Sequence, residues 1–149
     1  MIKDTWARMA LGEHHRRCVP ALVRMRVAVQ DADEGVPVPR GTVLDLAGAV
    51  DEVLSELRDG DRLLVDDAGL RRGRQVASFL GCRLNRLQVA ADDVIAAARA
   101  GDLPALRRTV LTFNALAAAM WQVQLAVQEQ KTRRTRPNHR GIGPAVARK

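Results

Sequence analysis

Residues 103–127 read LPALRRTVLTFNALAAAMWQVQLAV, and Leu103, Leu106, Val110, Phe113, Ala117, Met120, Gln124 and Val127 recur in them at steps of three and four. That spacing predicts one helix roughly 40 Å long, at about 1.5 Å per residue. Gln124 is the only polar residue in the stripe. Leu111, Leu116, Trp121, Val123 and Leu125 add apolar surface on the flanks, so other elements must cover this helix on more than one side. The stretch is the central helix of a bundle.

Just upstream, Gly101 suits a helix stop, Asp102 an N-cap and Pro104 the first turn of the next helix. A tight antiparallel hairpin follows, with a preceding helix that starts at Asp66 or Asp67 and reaches Ala100. Its inner positions are Val76, Leu80, Leu84, Leu87, Ala91, Val94 and Ala98. Gly69, Gly73, Ala77 and Gly81 form a row at spacing four, which would let another backbone come close, although each glycine costs about 1 kcal/mol relative to alanine.

A further helix is expected from a Thr42 cap, with Val43, Leu46, Val50, Val53 or Leu54, and Leu57 inward. It should stop at Asp59-Gly60-Asp61. Leu63-Leu64-Val65 fits a buried loop or a helical turn, and periodicity does not choose. The first helix begins at Asp4 or Thr5 and carries Leu11, His15, Cys18, Leu22, Met25 and Val29 on one face. Pro20 predicts a kink or break near residues 16–19. Between these two helices, acids and a Val-Pro-Val-Pro run make a surface connection.

The whole is an all-α bundle of about four main helices, with a bundle domain over residues 1–131 and a disordered basic tail over 132–149. Composition agrees, since 149 residues with 47% hydrophobic content suffice for one core, and 3% aromatics argue for aliphatic helix packing. No secretory signal is recognisable, so a cytoplasmic location is expected. There Cys18 and Cys82 would remain thiols. Lysine occurs only at Lys3, Lys131 and Lys149, and this arginine-rich, alanine-rich usage suggests a GC-rich bacterial genome.

Charge is unevenly distributed. Lys131, Arg133, Arg134, Arg136, Arg140, Arg148 and Lys149 face no acid in their segment, whereas residues 1–130 hold 17 basic and 17 acidic residues. A neutral body with a basic tail points to a polyanion as partner, nucleic acid first and an anionic membrane surface second, and those seven residues are the candidate binding set. The rival reading is a protein-interaction or homo-oligomerisation bundle whose tail only aids solubility.

Other chemistry finds less support. Within residues 74–90, Ala77, Gly81, Val76, Leu80, Cys82, Leu87 and Ala90 resemble the pattern of a helix-turn-helix DNA-binding unit, which implies a regulator. Arg83, however, stands where a capping residue belongs, and Asp92 and Asp93 burden the recognition helix. A continuous helix explains the same residues. Glu13, His14, His15 and Cys18 offer metal-type ligands on one turn but lack a partner cluster, so no metal is assigned. No phosphate-binding glycine loop, HExxH or Ser/His/Asp arrangement occurs, and neither an enzyme nor a cofactor is expected. Residues 109–128 carry no charge and match a membrane span in length. The polar residues scattered among them, and the helices that need their apolar surface, favour a buried bundle helix.

Overall fold

The computed structural model describes residues 2–32 and 36–134, with side chains throughout except at 2–4, 70, 71 and 131–134. Four helices follow one another: α1 (Ile2–Gln30), α2 (Arg40–Asp67), α3 (Leu70–Ala100) and α4 (Leu103–Arg134). No strand occurs among the described residues. Each helix packs on the next, and α4 closes the ring against α1, which makes an up-down-up-down bundle. Across the bundle α2 and α4 touch, while α1 and α3 hardly meet. The cross-section is therefore a rhombus with α2 and α4 on its short diagonal.

The core is aliphatic. Leu11, Met25, Leu46, Leu57, Leu64, Leu80, Leu87, Leu106, Phe113 and Met120 are fully buried, and the 103–127 stripe faces inward as its spacing predicts. The α3–α4 turn also follows the sequence. Gly101 adopts the left-handed conformation at φ 67°, and its N–H together with that of Asp102 caps the carbonyls of Ala98 and Ala97. Asp102 Oδ1 then accepts from the Ala105 N–H at 3.1 Å, capping α4.

Elsewhere packing overrules local signals. α2 does not stop at Asp59-Gly60-Asp61 but runs on to Asp67, because Gly60 is buried inside the bundle and Leu64 beyond it joins the core. Leu63-Leu64-Val65 is therefore helical. α2 starts at Arg40, after Pro39, rather than at a Thr42 cap. α1 continues through Pro20, which lies on its exposed side. There the missing N–H removes a solvent-facing bond while the inward stripe on both sides holds the helix in register. Gly69, at φ 82°, ends the α2–α3 link in place of an Asp66 or Asp67 cap.

α3 is one unbroken helix, so residues 74–90 contain no turn and the helix-turn-helix reading fails. Of the glycines in the row of small residues only Gly73 meets another backbone: a Cβ there would lie 3.2 Å from the Val65 carbonyl oxygen, whereas Gly69 and Gly81 have open space. At the other end α4 continues through Arg134, three residues into the segment read as tail. Arg136, Arg140, Arg148 and Lys149 lie outside the described residues.

Candidate functional site

Two features stand out: a polar lock inside the bundle and a charge asymmetry on its surface. The lock centres on Gln124, completely buried on α4. Its side-chain N–H₂ donates to the Leu57 carbonyl at 2.8 Å and to Asp61 Oδ1 at 2.7 Å. Its Oε1 accepts from His15 Nε2 at 2.7 Å. Both donors and the carbonyl are thus engaged, by α2 on one side and α1 on the other. The amide lies directly over Gly60, where a Cβ would come within 2.8 Å of Oε1, closer than any side chain permits.

The surroundings set the ionisation of the two titratable members. Burial lowers the pKa of His15, opposed by the Gln124 hydrogen bond, so the imidazole is neutral near pH 7 with its proton on Nε2. Its other face packs against Trp121, ring centroids 4.6 Å apart. Burial pushes Asp61 up to about 6 against the opposing effect of the Gln124 hydrogen bond. The cluster therefore keeps a carboxylate that is reluctant to ionise. Cys18 is driven up to about 12, mainly by burial, and is an inert thiol that donates to the His14 carbonyl.

The metal-type residues of α1 each have another task. His14 Nδ1 meets Glu56 Oε2 at 2.7 Å, His15 belongs to the lock, and Glu13 pairs with Arg16. Among the described residues no group of three His, Cys, Asp or Glu is placed to hold a metal ion.

On the surface, the ion pairs among the described residues all belong to α1 and α2, namely Arg16 and Arg17 with Glu13, His14 and Arg17 with Glu56, Arg24 with Glu52, and Arg62 with Asp59. α2 alone carries eight acids against three arginines. α3 differs: residues 70–91 hold five arginines and no acid, and α4 is uncharged over 109–128. Arg72, Arg74, Arg83 and Arg86 have no carboxylate partner among the described residues. Arg74 lines a hollow with Asp66 on the α2 side, whereas Arg72, Arg83 and Arg86 make the α4 side of α3 basic among the described residues.

The tight turn at Gly101 and Asp102 sets the register of this side. Residues equally far from it share a level, so Arg72 lies level with Lys131, Phe79 with Gln124, and Arg83 with Met120. The backbone of Lys131, Arg133 and Arg134 thus leaves the bundle at the end where Arg71, Arg72 and Arg74 begin α3. The fold joins the first part of the candidate tail set to arginines far away in sequence. By length and composition α4 passes as a membrane span over 103–130, with a mean hydropathy of 1.4, yet its apolar stripe is packed in the core. A comparison with known protein families, curated proteins and solved structures finds no match to this chain.

Two measurements test the lock. Gly60→Ala alone should lower stability, because loss of the Gln124 hydrogen bonds, roughly 1–3 kcal/mol, outweighs the gain of about 1 kcal/mol in helix propensity. In a Gln124→Ala background the same substitution should stabilise, and urea unfolding of the four chains gives the coupling. Asp61 supplies the second. Its pKa is raised on folding, so its favourable contribution is fully present below the unfolded value of 3.8 and is lost as pH rises through about 6. Asp61→Asn keeps an acceptor for Gln124 without the charge. Its melting temperature should match the wild type near pH 4 and exceed it by about 5 °C above pH 7.

Proposed function

We propose that this chain is a non-catalytic helical-bundle protein that binds nucleic acid or a similar polyanion through the basic segment Lys131, Arg133, Arg134, Arg136, Arg140, Arg148 and Lys149. The observation that carries the reading is the separation of charge. Glu13, Glu52, Glu56 and Asp59 on α1 and α2 pair with neighbouring cations, while Arg72, Arg83 and Arg86 on the α4 side of α3 have no carboxylate partner among the described residues, and the segment 131–149 contains no acid. Phosphates are the abundant anions whose repeat and geometry reward many arginines at once. No aromatic interrupts the basic residues of the tail, so its contacts position a backbone and read little sequence.

Affinity for a mixed-sequence duplex should fall with salt at a log–log slope of up to about −6 if all seven tail cations engage phosphates. Replacing the seven by glutamine in the full chain should weaken binding and flatten that slope. Equal affinity of the two chains would refute the tail's role.

A second reading, self-association, has its own support. α1 exposes Val19, Val23 and Val27 at spacing four beside exposed Leu44 of α2, on the side away from the basic flank. Sedimentation at micromolar concentration should then show a dimer whose formation Val23→Asp abolishes, and a clean monomer would remove this reading.

A further inference from the structure

We propose that the flank of α3 nearest α4 is a single-stranded nucleic-acid site separate from the tail, with Phe79 as its base-stacking surface and Arg83 and Arg86 as its phosphate contacts. The proposal rests on the nucleic-acid reading above and assigns to the body of the bundle what that reading gives to the tail.

Arg72, Phe79, Arg83 and Arg86 follow one another at steps of seven, four and three, so they share one side of α3. α2 approaches α3 on the opposite side, where Gly73 meets the Val65 carbonyl and where Val65, Asp66, Gly73, Arg74 and Ala77 line a common hollow. Arg72, Phe79, Arg83 and Arg86 are therefore on the side adjoining α4, and Arg74 is not. There the exposed α4 positions Thr112, Ala115, Ala119, Gln122 and Ala126 continue the surface with small, uncharged side chains. No carboxylate along 70–91 of α3 or 109–128 of α4 repels a phosphate backbone.

Phe79 and Arg83 form a built unit within this surface. The guanidinium carbon of Arg83 lies 3.9 Å over the centroid of the Phe79 ring, and its Nη1 donates to the Phe79 carbonyl at 2.9 Å. Arginine has several more donors, so the group remains able to grip a phosphate while its rotamer is already fixed, and binding costs less side-chain entropy. Phe79 is still 46% exposed, which leaves aromatic surface for a base. With Arg83 over one face of the ring, the exposed remainder of Phe79 is a cation-backed aromatic surface of the kind on which unpaired bases stack.

The geometry favours a single strand over a duplex. In a duplex the base faces are stacked against one another and out of reach of Phe79. Nor is α3 free to enter a major groove about 12 Å wide, because α4 runs beside it for its whole length. A strand lying along the flank from Arg86 past Phe79 to Arg72 would arrive at the end where the basic segment leaves α4.

Binding is measured on the full chain with three probes: an oligothymidylate of roughly 20 nucleotides, longer than one such site, a mixed-sequence duplex of the same length, and heparin. Phe79→Leu should weaken oligothymidylate binding by about 5- to 100-fold and change duplex and heparin binding by less than about twofold. Phe79→Trp should restore the affinity, and the indole it introduces should be quenched by oligothymidylate and not by heparin. Arg83→Gln should weaken all three. An unchanged oligothymidylate affinity in Phe79→Leu, or an equal loss on every probe, would overturn the proposal. Should the wild-type chain bind none of the three, the nucleic-acid reading falls with it. Should it bind all three while Phe79→Leu is silent, only the site on α3 falls.

Discussion

The structure depends on one side-chain amide laid across a glycine. Gln124 reaches from α4 to the α2 backbone because Gly60 has no Cβ, and no other residue at that position lets the amide lie where it does. The amide then exchanges hydrogen bonds with Leu57, Asp61 and His15. An aliphatic residue would fill the same space, but it would pack almost equally well one turn up or down. A buried amide is satisfied in one register only, and a slip would strand several polar groups out of water. The lock therefore specifies the relative height of α1, α2 and α4, and it draws α2 and α4 together along the short diagonal.

That specification carries a cost, and Asp61 bears it. A carboxylate in this position gains a hydrogen bond from Gln124 but loses hydration, and its pKa near 6 says that the loss is the larger effect. His15, neutral and wedged between Gln124 and Trp121, completes the cluster without adding a second charge. Gln124 turns its polar atoms to Leu57, Asp61 and His15, only His15 Nδ1 of the histidine ring is left buried without a hydrogen-bond partner, and no group of three metal-type side chains is assembled among the described residues. The product of the lock is alignment, and through α4 that alignment extends to the α3–α4 hairpin, whose outer surface carries Arg72, Arg83 and Arg86, without a carboxylate partner among the described residues.

How far the sequence disclosed this differs from element to element. The inward stripe of α4 and the Gly101-Asp102 turn were legible because each rests on local rules, periodicity in one case and backbone conformation in the other. The end of α2 was not. Asp59-Gly60-Asp61 has the composition of a stop, and only a residue 64 positions beyond Gly60, Gln124, explains why a glycine belongs inside that helix. Gln124 itself was visible as the one flaw in an apolar stripe, which is the signal by which such a lock can be suspected, although its partners were not. Pro20 misled for the reverse reason, since the cost of a proline depends on which face it occupies. The surface behaved likewise. The basic tail is plain in the composition, whereas the grouping of Arg72, Arg83 and Arg86 with Phe79 toward α4, and of Arg74 with Asp66 toward α2, appears only when the helices are placed side by side.

The formal charge of the body, zero over residues 1–130, consequently describes its electrostatics poorly. Neighbouring helix axes lie about 8–10 Å apart, close to the screening length of about 8 Å at physiological ionic strength. At that spacing the eight acids of α2 offset the α3 arginines only in part on the side where the two helices adjoin, and still less on the far flank where Phe79 and Arg83 sit. An approaching polyanion responds to this local field and not to the sum. On the proposed reading, the acids of α2 would turn it away from one side of the bundle and leave the α3–α4 side as the face it meets. On the same reading, even where basic residues after α4 supply most of the attraction, the folded body would determine which surface a bound polymer touches, and on that surface the exposed Phe79 ring would distinguish a chain with free bases from one that offers charge alone.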